Sequence, residues 1–336
     1  MSASRPLSLL DLATVRSEDT IAEAIARSRR LAQTADGLGY TRLWFAEHHN
    51  MPHIASSATA VMIQHIAAAT ENLRVGAGGI MLPNHAPLTI AEQFGTLETL
   101  FPDRIDLGLG RAPGTDPNTM RALRRDGSEA EHFRQDVLEL NGYLRGYSRI
   151  PGVNAYPGYR TDVPLYILGS SLFGAQLAAQ LGLPYAFASH FAPQMLGEAA
   201  QTYRAHFDAA QSLLGPEAQP HFIAAANVIA ADEESTARQQ RHLAENSWIR
   251  AMLGRGRHLT DDDVTALRDH PAGQQVLSML SETVAGTADQ VVDWLDSFGD
   301  RVEADELMLV NLAPEEDAKH RTLELLAPWP TSGSAG

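Results

Sequence analysis

Apolar strand-like runs alternate with helix-period segments about every 30–45 residues along the chain, the rhythm of a parallel βα sheet. Five of the strands end on a reactive or glycine-rich cluster: Glu47-His48-His49, Gly78-Gly79, Gly110-Arg111, Gly169-Ser170-Ser171 and Ser189-His190. No linker-like stretch divides the eight units. Together these observations predict an α/β fold, a TIM (β/α)8 barrel with insertions, forming one domain over residues 1–330 with a disordered tail at 331–336. In such a barrel the C-terminal strand ends open on one face, which holds the active site. Five unusual strand ends therefore describe one pocket.

The elements follow in order. PLSLLDL is a short apolar strand, and a helix follows with Ile21, Ile25, Ala32, Ala35 and Leu38 on one stripe and Gly39 near its end. TRLWFA is the second strand. SSATAVMIQHIAAAT is the second helix, with a serine cap expected at its start. LRVGAGGIML with APLTIAEQFGTLETL forms the third unit, and RIDLGLG with EAEHFRQDVLELNGYLRG the fourth. Residues 147–161, rich in Pro, Gly and Tyr, read as a surface excursion. VPLYILG with SLFGAQLAAQLG is the fifth unit, and LPYAFAS with the helix around MLGEAAQTYRAHF the sixth. HFIAAANVIAA and DEESTARQQRHLAENSWIR make the seventh. Residues 251–281 then break the rhythm with charge runs that include Arg255-Gly256-Arg257-His258 and Asp261-Asp262-Asp263. They read as a mobile cover over the mouth, with Gly254 and Gly256 as hinges, or else as a solvated ornament. GTADQVVDWLDSF is a helix, ELMLVNL the eighth strand and EEDAKHRTLELLA the closing helix.

Composition narrows the function. The 336 residues are 44% hydrophobic and 20% charged, enough for a large core and unlike a disordered chain. A net charge of −15 weighs against a nucleic-acid or anionic-membrane surface. Cysteine is absent, which excludes disulfides, thiolate metal sites and a cysteine nucleophile. The N-terminus lacks the pattern of a signal peptide and no apolar run reaches membrane-spanning length, so a cytoplasmic enzyme is expected.

Each strand tip has more than one reading. His48 and His49 are adjacent, so both line the barrel only if the strand has already ended. They serve as donors or proton shuttles, or as a hydrogen-bonded structural pair. A metal site recruiting Glu47 and His53 lacks a recognised spacing, and no metal is expected. Arg111 and Arg121 form surface ion pairs, or they grip a phosphate with the Gly169-Ser170-Ser171 turn that opens the next helix. Gly78-Gly79 serves tight packing beside Met81 and Pro83, or lets a large flat group approach the backbone.

The run VGAGGIMLPNHAPLTIAEQFGTLETLFPDRIDLGLGRAPGTD, preceded by LWFAEHHN and followed by LGSSLFGAQLAAQLGLPYAFASHFAP, resembles the bacterial luciferase-like flavin-dependent oxidoreductases. It looks most like their alkanal monooxygenase-like branch. The resemblance covers about residues 5–328 and is weakest over 240–285. It implies a barrel that takes reduced FMN from a separate NAD(P)H:flavin reductase and reacts it with oxygen to a flavin C4a-peroxide. It implies a non-proline cis peptide at Gly78-Gly79, phosphate contacts from Arg111, Arg121, Gly169, Ser170, Ser171 and Gly174, and a catalytic imidazole at His48. Ser189, beside His190 at the sixth strand tip, is added to the cofactor-binding set. Light-emitting members carry a cysteine where this chain has Gly110, so luminescence is not implied.

The expectation is an FMN-dependent monooxygenase acting on a small, apolar organic molecule. Glu47 or a backbone carbonyl would fix the His48 tautomer, and Leu10, Trp44, Phe191 and Met195 would line the pocket. The alternatives are an F420-dependent hydride-transferring enzyme and a non-catalytic flavin-storage barrel. The helix SSATAVMIQHIAAAT is apolar on most sides, which predicts a two-fold symmetric homodimer packed through it, as the resemblance also implies.

Overall fold

The computed structural model describes residues 5–327 apart from 17, 113, 255, 256 and 258. The expected tail at 331–336 and the residues Arg255, Gly256 and His258 lie outside the described residues. The chain opens with β1 (Leu7–Asp11) and α1 (Ile21–Leu38). Thr20 and Glu23 form a capping box before α1, and Gly39 ends it with φ 81°. Next come β2 (Arg42–Phe45), α2 (Thr59–Ala67), β3 (Arg74–Met81) and α3 (Pro87–Leu100). The expected serine cap of α2 is absent. Ala58 holds the cap position, and the buried Ser56 hydroxyl donates to the Ala46 carbonyl at 2.6 Å instead, tying the helix entry to the β2 tip.

β4 (Ile105–Gly110) leads into the short α4 (Pro117–Ala122), whose N-terminal amides of Asn118 and Thr119 donate to Asp116. α5 (Phe133–Arg145), β5 (Leu165–Gly169), α6 (Leu172–Leu181), β6 (Tyr185–Phe187) and α7 (Leu196–Ala205) continue the alternation. β7 (Phe222–Ala230) is followed by α8 (Glu234–Leu253). The interrupting segment folds into α9 (Asp261–Asp269) and α10 (Pro271–Met279). The aspartate run is a helix start: Thr260 and Asp263 make a capping box. Ile249, Val264 and Val276 give this helical pair a small core of its own against α8, and Arg268 pairs with Glu245 at 2.6 Å. β8 (Thr283–Gly286), α11 (Ala288–Arg301), β9 (Glu306–Asn311) and α12 (Glu316–Leu325) complete the chain.

All strand pairs are parallel, and the order β6-β5-β4-β3-β2-β1-β9-β7 closes through a β6–β7 pairing. The ring is thus a TIM barrel of eight strands, with β9 in the eighth place. β8 is a correction to the sequence reading, which had no strand there. It pairs only with Asn227–Ala230 of β7, beyond the stretch Phe222–Ala224 that β6 occupies, and so raises the wall at the mouth. Its four residues, directly before a strong helix signal, carry too little pattern to stand out.

The inside of the ring is layered. At the strand starts, Arg42 pairs with Glu306 at 2.9 Å and Asp106 at 2.7 Å, and Arg74 reaches Asp106 at 2.6 Å. Ser8, His221, Tyr166 and the Trp44 indole N–H complete the hydrogen bonds of this ionic floor. Each charged group keeps several partners, as burial requires. Above lies an apolar layer of Trp44, Tyr166, Ala186, Ile223, Ala225 and Met308, with Leu10 and Leu168 partly buried against it. Trp44 is 1% exposed and belongs to this filling, so it does not line the mouth as expected. Met195 likewise packs against the main core between barrel and helices.

Candidate active site

β2 ends at Phe45, so the alternation of a strand no longer binds the residues after Ala46, and the adjacent His48 and His49 take different partners. His49 Nε2 lies 2.7 Å from Glu47 Oε1, and His85 Nε2 lies 2.9 and 3.0 Å from the two carboxylate oxygens. The Met81 amide donates to Oε2 at 3.1 Å, and Asn84 Nδ2 to Oε1 at 3.4 Å. The Glu47 side chain is 1% exposed. Burial alone pushes its carboxyl up, but the hydrogen bonds from His49 and His85, the His85 charge and the Met81 amide bring it down to about 2. An ionised carboxylate only accepts, so both imidazoles present Nε2–H to it. The Glu47 hydrogen bond raises His49 in turn, against the opposing effect of burial.

One ligand atom each from Glu47, His49 and His85 lie within 4.8 Å of one another, close enough to hold a cation. His53 is not in this group. The direct N–H···O contacts account for the closeness as hydrogen bonds.

His48 has a different environment. Its Nδ1 is buried without a hydrogen-bond partner. Burial lowers its pKa, opposed by a hydrogen bond with the Gly114 backbone. Glu47, one of the two partners expected for His48, is instead committed to His49 and His85. His190, at the β6 tip, also has a buried, unpartnered Nδ1; burial and the nearby His48 hold it down to about 4. The half-exposed Phe191 meets the His190 ring edge-on at 4.9 Å.

The Gly78–Gly79 peptide is cis, and the β3–β4 register shifts between Gly78 and Ile80. A Cβ on Gly78 would lie 2.9 Å from Trp44 Cβ, one on Gly79 2.6 Å from the Gly108 carbonyl oxygen, and one on Gly108 2.5 Å from Leu168. These glycines let β3, β4 and the apolar layer approach more closely than any side chain would permit.

Past β4, the Arg111 guanidinium stacks 3.9 Å over the ring of Phe173, in the first turn of α6. That places it beside the Ser170–Ser171 turn. Ser171 is the N-cap of α6 and makes no side-chain capping bond, so the amides of the first turn have no side-chain acceptor at the cap. Arg121 is exposed on α4 and bonds to Asn118 on its own helix; no contact joins it to the turn among the described residues. Gly169 and Gly174 abut Tyr185, which a Cβ would meet at 3.3 and 3.1 Å. The Ser189 hydroxyl is fully buried and donates to the Ala225 carbonyl at 2.5 Å, joining β6 to β7.

Two residues of the mouth escaped the sequence reading. His85 carries no local pattern, and only the fold brings it to Glu47. Asn227 was signalled by its place as the lone polar residue in the apolar run FIAAANVIAA. It is fully buried, and its Nδ2 donates to the His190 carbonyl at 2.6 Å and to Thr283 Oγ1 at 3.2 Å.

The family model for luciferase-like monooxygenases matches residues 6–302. A luciferase-like monooxygenase of Escherichia coli K12 is 43% identical over 324 residues, covering 95% of each chain. The crystal structure of apo-MsnO8 is 35% identical, with a TM-score of 0.85 over 96% of this chain and 98% of that one. Two more distant structures share the architecture alone. One is the oxygenating constituent of a type II Baeyer–Villiger monooxygenase of Pseudomonas putida with FMN (14% identity, TM-score 0.71, 96% and 97% coverage). The other is an F420-dependent secondary alcohol dehydrogenase with an F420–acetone adduct (13%, 0.66, 97% and 100%). With its reactive strand tips gathered on one closed barrel and the family's pattern running through nearly its whole length, the chain belongs to the luciferase-like monooxygenases.

Proposed function

We propose that the enzyme is an FMN-dependent monooxygenase that uses reduced FMN, delivered by a separate reductase, and oxygen on a small, largely apolar organic substrate. The observation that carries this reading is the buried, unpartnered Nδ1 of His48 at the barrel mouth, where His190 Nδ1 is likewise buried without a partner. Arg111, steadied by Phe173, and the uncapped first turn of α6 would hold the phosphate through charge-assisted hydrogen bonds. Reduced FMN, when bound, supplies the electrons that activate oxygen. His48, kept neutral near pH 7 by its burial, would hold or pass a proton at Nδ1. The Glu47 hub fixes the chain on either side of His48 by holding His49 and the Met81–His85 loop. The apolar layer below keeps water from the reacting face.

The test is titration of the purified protein with FMN and with F420, followed by oxygen uptake with each reduced cofactor. FMN binding with oxygen consumption is expected. Preferential F420 binding without oxygen uptake would replace this reading with hydride transfer.

A further inference from the structure

Three buried polar atoms at the barrel mouth have no hydrogen-bond partner: His48 Nδ1, His190 Nδ1 and Asn227 Oδ1. They belong to the tips of β2 and β6 and to the upper part of β7, and β2 and β6 stand opposite each other in the ring. Ile223 and Ala225 of β7 face inward in the apolar layer, so Asn227, two residues further on, faces the same interior one level nearer the mouth. Its amide orientation is determined. The His190 carbonyl can only accept a hydrogen bond, so the group 2.6 Å from it is Nδ2, and Thr283 Oγ1 takes the second N–H. Oδ1 is therefore an acceptor aimed away from both partners. A buried acceptor without a donor calls for a partner that the protein itself does not supply.

We propose that Asn227 Oδ1 receives a hydrogen bond from a hydroxyl or N–H group of an uncharged substrate, with His190 Nδ1 as its second polar contact. The inference rests on the monooxygenase reading above and specifies the substrate class for that site. The substrate is uncharged because neither contact carries charge: the amide is neutral, and burial keeps His190 unprotonated at neutral pH. A carboxylate or ammonium placed there would lie buried without a counter-charge. The body of the substrate is apolar, since Leu10 and Leu168 lie on the layer below and Phe191 stands edge-on to His190. The His190 carbonyl fixes the orientation of the Asn227 amide, and Thr283, from the short β8, only takes its second N–H.

The experiment measures binding of n-octanol and of its isomer heptyl methyl ether to the full chain by calorimetry, with FMN binding followed separately by fluorescence. The two probes match in composition, but only the alcohol donates. We expect octanol to bind about tenfold or more tightly than the ether, because a site with an unmet acceptor discriminates against a ligand that cannot donate. Octanoate should bind more weakly than octanol. Asn227→Leu should bring alcohol and ether within about twofold by removing the acceptor, while Thr283→Val, which keeps Oδ1, should retain the preference. Equal binding of alcohol and ether by the unaltered protein, no saturable binding of either, or tighter binding of octanoate each overturns the proposal. The alcohol-to-ether ratio of the unaltered protein decides the matter even if Asn227→Leu does not fold. Loss of FMN binding with the octanol preference intact would remove the monooxygenase reading and leave the polar subsite. FMN binding without the preference would remove the subsite alone.

Discussion

His49 Nε2 lies 2.7 Å from Glu47 Oε1, while the neighbouring His48 leaves its own Nδ1 unpaired. Two consecutive histidines thus do different work: one is bound into a structural hub, and the other is free to meet a ligand. Replacing His48 by Asn should leave FMN affinity within a few-fold and lower coupled turnover by about 10²–10⁴. Peroxide released per reduced flavin should rise, as an oxygen-electrode assay with and without catalase would show. Unchanged turnover would assign His48 a structural part.

The Glu47 hub has a pH signature. Its folded-state pKa, about 2, lies below the ordinary value of 4.5, so its stabilisation is fully present above pH 4.5 and is lost as pH falls toward 2. The shift corresponds to about 3 kcal/mol. His49 is raised, so its contribution is complete below about pH 6.5 and fades as pH rises through its folded-state value. Burial of His190, held down to about 4, makes total stability decline as pH falls below about 6.5. The hub is therefore read as a difference: melts of the unaltered chain and of Glu47→Gln should differ by a steady amount from about pH 4.5 to 6.5 and converge below it. The variant should thereby lose much of the acid limb below pH 4.5. An acid limb unchanged in the variant would place its origin elsewhere.

Phosphate recognition can be separated from ring recognition. Arg111→Ala should weaken FMN binding by about 1.5–3 kcal/mol and leave riboflavin almost unaffected. Phe173→Leu should act in the same direction by less, since it removes only the stacking partner of the guanidinium. Equal losses for FMN and riboflavin in calorimetry would place Arg111 away from the phosphate.

Breaking the ionic floor should be severe. Arg42→Met leaves Asp106 and Glu306 each short of a buried partner and should cost about 3–5 kcal/mol in denaturant unfolding. A loss below about 1 kcal/mol would mean that water reaches the floor.

Self-association remains a proposal carried by α2. Val61 is 68% exposed on that helix, with Ala58 and Ala68 exposed on either side of it. Light scattering should give a dimer for the unaltered chain and a monomer for Val61→Glu. A monomeric unaltered chain at micromolar concentration would rule the dimer out.

The barrel was legible because its strands and helices carry strong periods, and the mouth because Glu47, Arg111 and Ser170 follow strand signals directly. What stayed hidden depended on long-range placement. His85 and Glu47 meet only through the loop after β3, and no local spacing reports that contact. The floor left a faint trace, Arg42 in TRLWFA, Asp106 in RIDLGLG and Glu306 in ELMLVNL, whose meaning appears only when the ring closes. The run around Asp261 read as part of a mobile cover or else as a solvated ornament; its aspartates are exposed and also open a helix, because the same residue types serve both purposes.

The ionic floor also governs traffic. With Arg42, Asp106 and Glu306 plugging one end and the aromatic pair Trp44–Tyr166 stacked upon them, the barrel is a cup with a single rim. Whatever the enzyme uses must come and go over that rim. A cofactor and a substrate seated one above the other would therefore bind in a fixed order, the deeper one first, which product-inhibition kinetics would show. Salt bridges at the far end of the barrel from the mouth would then set the sequence of binding.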